Sequence, residues 1–486
     1  MANEKFEWLE NAWYGGIADD RHSGIAASFA DGKGLEIRKN PKSLKLAFAS
    51  DKQSGSVVTD LPLAFVTIKS TGDVIAFGDT GKIYRNATGA GTWVNVYTDS
   101  SSRKIMDAFE FNSFLYWCTP THLHRIPIAN IDASWVITTD VTEDYKAFTN
   151  DNTNSHPMTE HNNNLYIGDG NLLAELDSAL VFTANKLTIF GDEEIRALTI
   201  SGSSLNIYSR KSNLTNFGAQ YLWDGISSAY NNRWLWRQMI HAAINNGGYD
   251  YVLAGKRPVI YYVVGGQRVK LKVIPGVSAA QSCVIHHNAI DMQEDLLCFG
   301  PAESGTNSVG RGVWTWGALL KEYPQVLNFD YPNSNDNATD TVGAVHESNG
   351  VLYHSWKQST NYGIYYENTA KYRATGQITS RVQRGQRITD QKHITDGYMG
   401  FEELDTGEAI NVYLRSDKDD SFTTAEMTVT AAANPTTNEL NQGAPFTVSD
   451  WNLLQYQVIL TAGTSQLTSP ELLEVGFQYE KVNDAK

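Results

Sequence analysis

A short phrase of apolar and turn residues recurs along this chain, and its spacing narrows the folds open to it. "NGVLYHSW" begins at Asn349, "NNLYIGDG" at Asn163, "NSFLYWCT" at Asn112 and "GDVIAFGD" at Gly72. "SSLNIYSR" begins at Ser203 and "EDLLCFGP" at Glu294. Aligned on Leu352, the equivalent positions are Ile75, Leu115, Leu165, Leu205, Val252 and Leu297, with steps of 40, 50, 40, 47, 45 and 55 residues. A period of about 40–50 residues matches one four-stranded propeller blade.

Each copy reads strand, tight polar turn, strand. "FVTIK", "AFEF", "LTIS" and "GAVHE" precede the turns, which are read as Gly72-Asp73, Asn112-Ser113, Asn163-Asn164, Ser203-Ser204 and Asn349-Gly350. Such residues tolerate positive φ or bond their own backbone, as two-residue hairpin loops require. A second hairpin often follows, carrying large aromatics: Tyr84 and Trp93, Tyr221 and Trp223, Trp314 and Trp316, Tyr365 and Tyr366. Wedge-shaped sheets around an axis need bulky side chains to fill the space between them. The Val252 copy is the least regular. The competing architecture is two or three stacked β-sandwiches, whose short strands also produce closely spaced turns. The fixed period favours an all-β fold with a seven-bladed β-propeller over residues 45–385, six to eight blades being compatible.

Two segments fall outside the repeat. Residues 1–44 are rich in Gly and charge and read as an N-terminal arm that pairs on a blade edge or reaches a neighbour. Residues 386–486 resume clean alternation at Val412/Leu414, Tyr456/Val458/Leu460 and Leu473/Val475/Phe477/Tyr479, one wet face and one buried face, and predict a C-terminal β-sandwich. Short helices are expected only around Met239–Asn245 and Trp451–Leu454.

Net charge is -15, and from Gly385 onward 16 acidic residues face 6 basic ones, so most of the acidity lies in the last fifth of the chain. That balance argues against a groove that grips nucleic acid and against binding to an anionic membrane surface. No run of roughly 18 apolar residues offers a membrane span. The opening "MANEKFEWLENAWYGG" has acids where a secretory signal needs a basic then an apolar stretch, so synthesis in a cytosol is expected. Cys118, Cys283 and Cys298 are too few for a disulfide framework and read as reduced, buried thiols.

Searches for chemistry end mostly in bland readings. No Gly-rich phosphate loop, H-E-x-x-H or G-x-S-x-G occurs. Cys283, His286, His287 and Cys298 form one half of a zinc pattern, and "SCVIHHNAI" reads instead as a strand with a core Cys and partly exposed His residues. Asp417, Asp419 and Asp420 cluster without the Gly and terminal Glu of an EF-hand, so a hairpin turn with solvated acids is expected. Asp79, Asp169 and Asp224 follow strands and are candidates for paired carboxylates that cut glycosidic bonds. "NATGAGTW" nearly imitates the sialidase turn but lacks its Asp. No catalytic, metal or cofactor residue is assigned.

Three stretches carry a resemblance to β-propeller structural proteins of tailed bacteriophage virions. They are the opening "WYGGIADDRHSGIAASFADGKGLEIRKNPKSLKLAFAS", the degenerate blade phrases "NSFLYWC…HLHRI" and "NGVLYHSW…YGIYY", and the ending "WNLLQYQVILTAGTSQLTSPELLEVGFQYEK". The resemblance implies a non-enzymatic virion component made in the host cytoplasm: a tail-associated ring protein such as a nozzle, adaptor or tail tip. It further implies a homo-oligomeric ring, contacts with other tail proteins, no cofactor, and DNA that passes without specific binding. An acidic sandwich lining or rimming such a passage would repel DNA. The competing expectations are a propeller that binds a host-surface glycan or receptor, and a polysaccharide-cleaving hydrolase.

Overall fold

The computed structural model describes residues 5–482 apart from 19–26, 41, 54–56, 88–91, 132–140, 152–154, 212–215, 276–282, 302–311, 320–321, 333–340, 385–390, 417–420, 434–437 and 449. Regular structure in these residues is β throughout, save short 3-10 turns such as Ile128–Asn130 and Thr464–Gln466. None of it is a helix long and apolar enough to cross a membrane. Both expected helices are strands: Ile240–Asn246 and Asp450–Trp451, with Leu454 opening a third.

The fold is propeller-like, built from many four-stranded antiparallel sheets. Among the described residues seven sheets have four strands, and the seven repeat positions fall one on the second strand of each. All seven of those side chains are buried. The first strands of the seven sheets are Pro62–Thr67, Asp107–Phe111, Met158–His161, Glu193–Ser201, Ile240–Asn246, Ile290–Gln293 and Thr341–Ser348. Each packs against the first strand of the next sheet, and Thr341–Ser348 packs against Pro62–Thr67, so these inner strands form a closed cycle. The outer strand of the seventh sheet is Phe48–Lys52, which comes from before the first sheet.

The hairpins follow from local backbone chemistry. In six of the seven sheets the first and second strands meet across two residues, as in Phe111↔Phe114, His161↔Asn164, Ser201↔Ser204 and Ser348↔Val351. Asn112 and Ser113, and likewise Asn349 and Gly350, both have positive φ, the conformation such loops need. Two expected turns shift back by one residue, to Asn162-Asn163 and Gly202-Ser203, because pairing His161 with Asn164 and Ser201 with Ser204 puts the buried leucines inward. Aromatics fill the gaps between sheets: Trp93 and Tyr84 pack with Tyr353 and Ile364, and Tyr221 and Trp223 pack with Tyr166 and Leu173. A wholly buried Trp removes on the order of 200 Å² from water, about 5 kcal/mol of gross transfer energy.

By its internal contacts the chain divides into two compact units. One comprises Asp51–Val313 and Asn333–Tyr366 and contains the whole cycle of inner strands. The other comprises Met1–Ser50, Trp314–Pro332 and Glu367–Lys486, thus grouping the arm and a segment of the expected propeller with the C-terminal residues. This second unit holds two five-stranded sheets. In one, Lys5–Glu10 pairs with Leu472–Lys481, which pairs with Lys392–Phe401. The arm therefore adds to the final strand rather than to the edge of a four-stranded sheet. In the other, Leu454–Thr461 lies between Thr375–Thr379 and Ala409–Ser416. Val412, Leu414, Val458 and Leu460 alternate inward, and Trp8 meets Tyr456 at 5.0 Å between ring centres, joining the apolar faces of the two sheets.

Candidate functional site

Polar groups converge where the inner strands begin. Asp107 opens the second inner strand, and its Oδ1 accepts from Ala108 N at 2.8 Å and Asn288 Nδ2 at 3.0 Å. Its Oδ2 accepts from Met158 N, at the start of the third, at 2.9 Å. The Asn288 amide, just before the sixth inner strand, also reaches Leu63 O at 3.1 Å and Met106 O at 3.4 Å. The sixth sheet neighbours the fifth and seventh in the cycle, so these bonds to the first and second run across the axis. These bonds tie the sixth sheet to the first and second.

Near that tie lies a cluster of charged groups. Glu194 of the fourth inner strand accepts from Arg196 at 3.2 Å, Arg210 at 3.5 Å and Ser155 Oγ at 3.2 Å. Burial alone would push the Glu194 carboxyl up, but the two guanidiniums outweigh it and hold the group below the usual range. Arg196 is almost wholly buried; desolvation and the second cation, Arg210, bring it down to about 10. Lys104, half-buried before the second inner strand, is also lowered by burial; Asp79 opposes that shift and Arg196 adds to it. Desolvation pushes His286 down to about 3, with His287, Lys104, Arg196 and Arg210 adding to the effect. His241 is buried, donates from Nε2 to Gly255 O (2.8 Å), and lies at about 4 for the same first cause. These imidazoles are neutral at pH 7, so the permanent charge here belongs to Lys104, Arg196 and Arg210 on one side and to carboxylates on the other.

The residues nominated from the sequence do not assemble into one centre. Cys283 is buried with its sulfur 3.9 Å from Val284 O; Cys298 lies on the second strand of the sixth sheet opposite Asp291; His287 approaches Asp107 at 3.6 Å instead of a thiol. "SCVIHHNAI" is therefore not one strand: regular pairing starts only at Ile290. Among the described residues no group of three or more His, Cys, Asp or Glu side chains is placed to hold a metal ion. Asp417, Asp419 and Asp420, and residues 88–91 of the "NATGAGTW" stretch, lie outside the described residues.

The three aspartates proposed as partners are each held separately. Asp79, in the first sheet's second turn, accepts from Leu61 N at 3.1 Å, and burial raises its pKa. Asp169, in the third sheet, is buried and accepts from the amides of Thr149 and Asn150; burial lifts it to about 6. Asp224 closes an exposed loop of the fourth sheet, where bonds from Ser227 and Ile226 keep it well below the usual carboxylate range. Reading the chain linearly misses Lys104, Glu194, Arg196, Arg210, Asp107 and Asn288. Their only signal is a shared place near the start of an inner strand, or across the hairpin from one.

The unit that contains both chain ends has its own cleft of about 240 Å³, lined among others by Glu36, Lys39, Phe48, Asp330, Glu367 and Tyr372. Asp330 is buried beneath it, paired with Arg38 and accepting from Thr315 Oγ1 at 2.6 Å, while Tyr331 donates to Glu367 at 2.6 Å. Phe48 and Tyr372 stack at its rim, 5.6 Å between centres.

No protein-family model and no curated protein sequence matches the chain. Solved structures align with part of the chain at low identity. A Raptor protein from Chaetomium thermophilum aligns at 11% identity and a TM-score of 0.46 over 66% of this chain and 30% of its own. The extracellular domain of a one-component system from B. thetaiotaomicron aligns at 10% identity and a TM-score of 0.45 over 73% of this chain and 44% of its own. The chain thus spans less than half the length of either.

Proposed function

We propose that the chain is a non-enzymatic structural part of a tailed-phage virion, a ring-forming tail component of the nozzle, adaptor or tail-tip kind. In this reading the seven four-stranded sheets are seven blades of a propeller over residues 45–385. Residues 1–44 are the arm, and residues 386–486 form the sandwich that the arm's strand extends. The observation that carries it is the tie at the axis: Asp107 and Asn288 spend their polar atoms on joining inner strands, and the nominated carboxylates sit in three different sheets. Such an arrangement supports a rigid shaped part rather than a catalytic pocket. In this reading any DNA passage is framed by several copies, not by the hole of one ring. Virion parts repeat by symmetry, so a homo-oligomer follows. The acidic last fifth of the chain would then face or rim the passage.

The experiment is electron microscopy of the purified full chain together with antibody labelling of intact phage particles. Rings and a labelled tail are expected. A monomer at micromolar concentration that never labels a particle sinks the reading.

One observation favours a second reading, a glycan-binding module. The cleft with stacked Phe48 and Tyr372 beside Glu36 and Glu367 combines an aromatic rim with carboxylates, a pairing that suits sugar rings and their hydroxyls. A glycan array separates the two: binding abolished by Tyr372→Ala supports the module, and a blank array removes it.

A further inference from the structure

The fifth four-stranded sheet ends in a basic, open edge. Its last strand, Gln267–Val273, pairs inward with Val259–Val264, and no strand pairs with its other side among the described residues. None of its residues is buried, and Gln267 to Lys270 are all exposed. It carries Arg268, Lys270 and Lys272 and no acid. The hairpin that delivers it is firmly seated. Gly265 and Gly266 both have positive φ, and a Cβ on Gly266 would lie 2.2 Å from the Trp234 ring of the fourth sheet, so the turn rests on that ring. Arg268 lies over Trp236, 5.0 Å from the ring centre, and donates to Leu235 O at 3.0 Å. Among the described residues no hydrogen bond or ion pair engages Lys270. Val264 and Val269 are 45% and 56% exposed. An open edge with apolar side chains is a place where another chain can add, and its cations stop two such edges from pairing with each other.

The unit that contains both chain ends carries a surface of opposite sign. The sheet formed by Lys5–Glu10, Leu472–Lys481, Lys392–Phe401 and Glu439–Gly443 has a trough of about 540 Å³ on its outer face. Gly476 lies between Leu9 and Tyr398 in one cross-strand row, so the floor has no side chain there. In the next row Glu7 and Asp396 flank Gln478. Glu474 also lines the trough and accepts from the Tyr398 hydroxyl at 2.6 Å. None of these three acids faces a lysine or arginine across a strand pair. Among the described residues no hydrogen bond or ion pair engages the side chain of Glu7 or Asp396. Leu9, 43% exposed, adds an apolar spot to the same wall.

We propose that these two surfaces meet between copies of this chain: the basic edge strand Gln267–Val273 of one copy docks in the acidic trough of the next. Arg268 and Lys270 then face Glu7, Asp396 and Glu474, and Val269 packs near Leu9. Copies with a net charge of -15 repel one another at a distance, so association needs a local patch of the other sign. Neither surface can meet itself, because like charges would then be opposed. A contact between unlike surfaces is heterologous; repeated, it closes into a ring or runs on as a filament. This rests on the reading of the chain as a homo-oligomer and names the two faces that build it.

Sedimentation velocity of the full chain, read together with electron microscopy, tests it. The native chain is expected to assemble at micromolar concentration. Lys270→Glu and Asp396→Lys should each weaken assembly at least about tenfold, an attraction being replaced by a repulsion. Neither side chain has an internal hydrogen bond to lose, so both variants should melt like the native chain. If Asp396→Lys does not fold, Glu7→Lys takes its place. Mixing the two variants should restore assembly, since the new carboxylate of one meets the new ammonium of the other while the unaltered faces still match. Native assemblies that survive both substitutions overturn this interface and leave the oligomer standing. A mixture that assembles no better than either variant alone also overturns it. A native chain that stays monomeric overturns both the interface and the oligomer, and leaves the trough to an unrelated basic partner.

Discussion

Asp169 illustrates how burial sets the protonation of one side chain. Its carboxyl titrates near 6 in the folded chain against 3.8 for the free group, burial outweighing the two amides it accepts. Between those values the folded state holds a proton that the unfolded state has lost. The residue's contribution to stability therefore grows as pH falls from 6 toward 4, and above 6 the cost of a buried charge is felt in full. Asp169→Asn keeps an acceptor for Thr149 and Asn150, so it should raise the melting temperature at pH 7.5 and lose that advantage near pH 4. Circular dichroism melts at both values check this; a gain equal at both would refute the raised pKa. Asp250 is raised by burial too, but its carboxyl oxygens are fully employed. It accepts from Tyr208 at 2.6 Å, Thr199 at 2.7 Å and Asn206 at 2.8 Å in the neighbouring fourth sheet, and from Asn245 at 2.8 Å in its own. Asp250→Ala strands these donors inside the protein and should cost about 3 kcal/mol in a urea titration. Neither role can be read from the sequence. Asp169 was visible as a residue following a strand, and nothing in the sequence singled out Asp250, because burial and cross-sheet partners are set only when the sheets meet.

At the scale of single elements, the hairpins were the most legible part of the chain, since their backbone demands are local. Asn112-Ser113 and Asn349-Gly350 are turns at the expected positions; Asn162-Asn163 and Gly202-Ser203 were displaced by one because a run of polar residues leaves the register open until a leucine fixes it. The helix expected at Met239–Asn245 failed for a physical reason. A bulge between Ile240 and Ala242 breaks the period-two pattern, and both residues are fully buried, so the apolar spacing imitates a helix. The same reasoning separates two glycines. Gly350 has φ +81 with nothing within 4 Å of an added Cβ, so Gly350→Ala should cost only about 1 kcal/mol of backbone strain. At Gly78 a Cβ would lie 2.1 Å from Asp60 Oδ2, and Asp60 accepts from Thr80 N at 3.0 Å and Tyr84 at 2.6 Å. Gly78→Ala must dislodge that carboxylate, and a loss of about 3 kcal/mol or more is expected by denaturant titration, overpacking and broken bonds acting together.

For the whole molecule, the repeat period made the four-stranded sheets legible. The polar cluster stayed hidden because its members are scattered from Asp79 to His287 and only closure of the cycle gathers them. Closure depends on Phe48–Lys52 and the residue after it. Gln53 N bonds Ile364 O of the seventh sheet at 3.0 Å, while its side-chain oxygen accepts from Asn86 at 3.0 Å and Trp93 at 3.1 Å of the first. A chain lacking residues 1–53 should lose its cooperative thermal transition and become sensitive to limited proteolysis across residues 341–366. A sharp, native-like melt would show that closure is not required.

That late mating has a kinetic consequence. Phe48–Lys52 leaves the ribosome about 310 residues ahead of Asn361–Tyr372, the strand that receives it. At ordinary elongation rates this strand waits about 15–60 s with its backbone unmatched. An orphan edge is an invitation to stray pairing with other nascent chains. Slowing translation between these segments should lower the yield of soluble protein more than the same delay placed after residue 372.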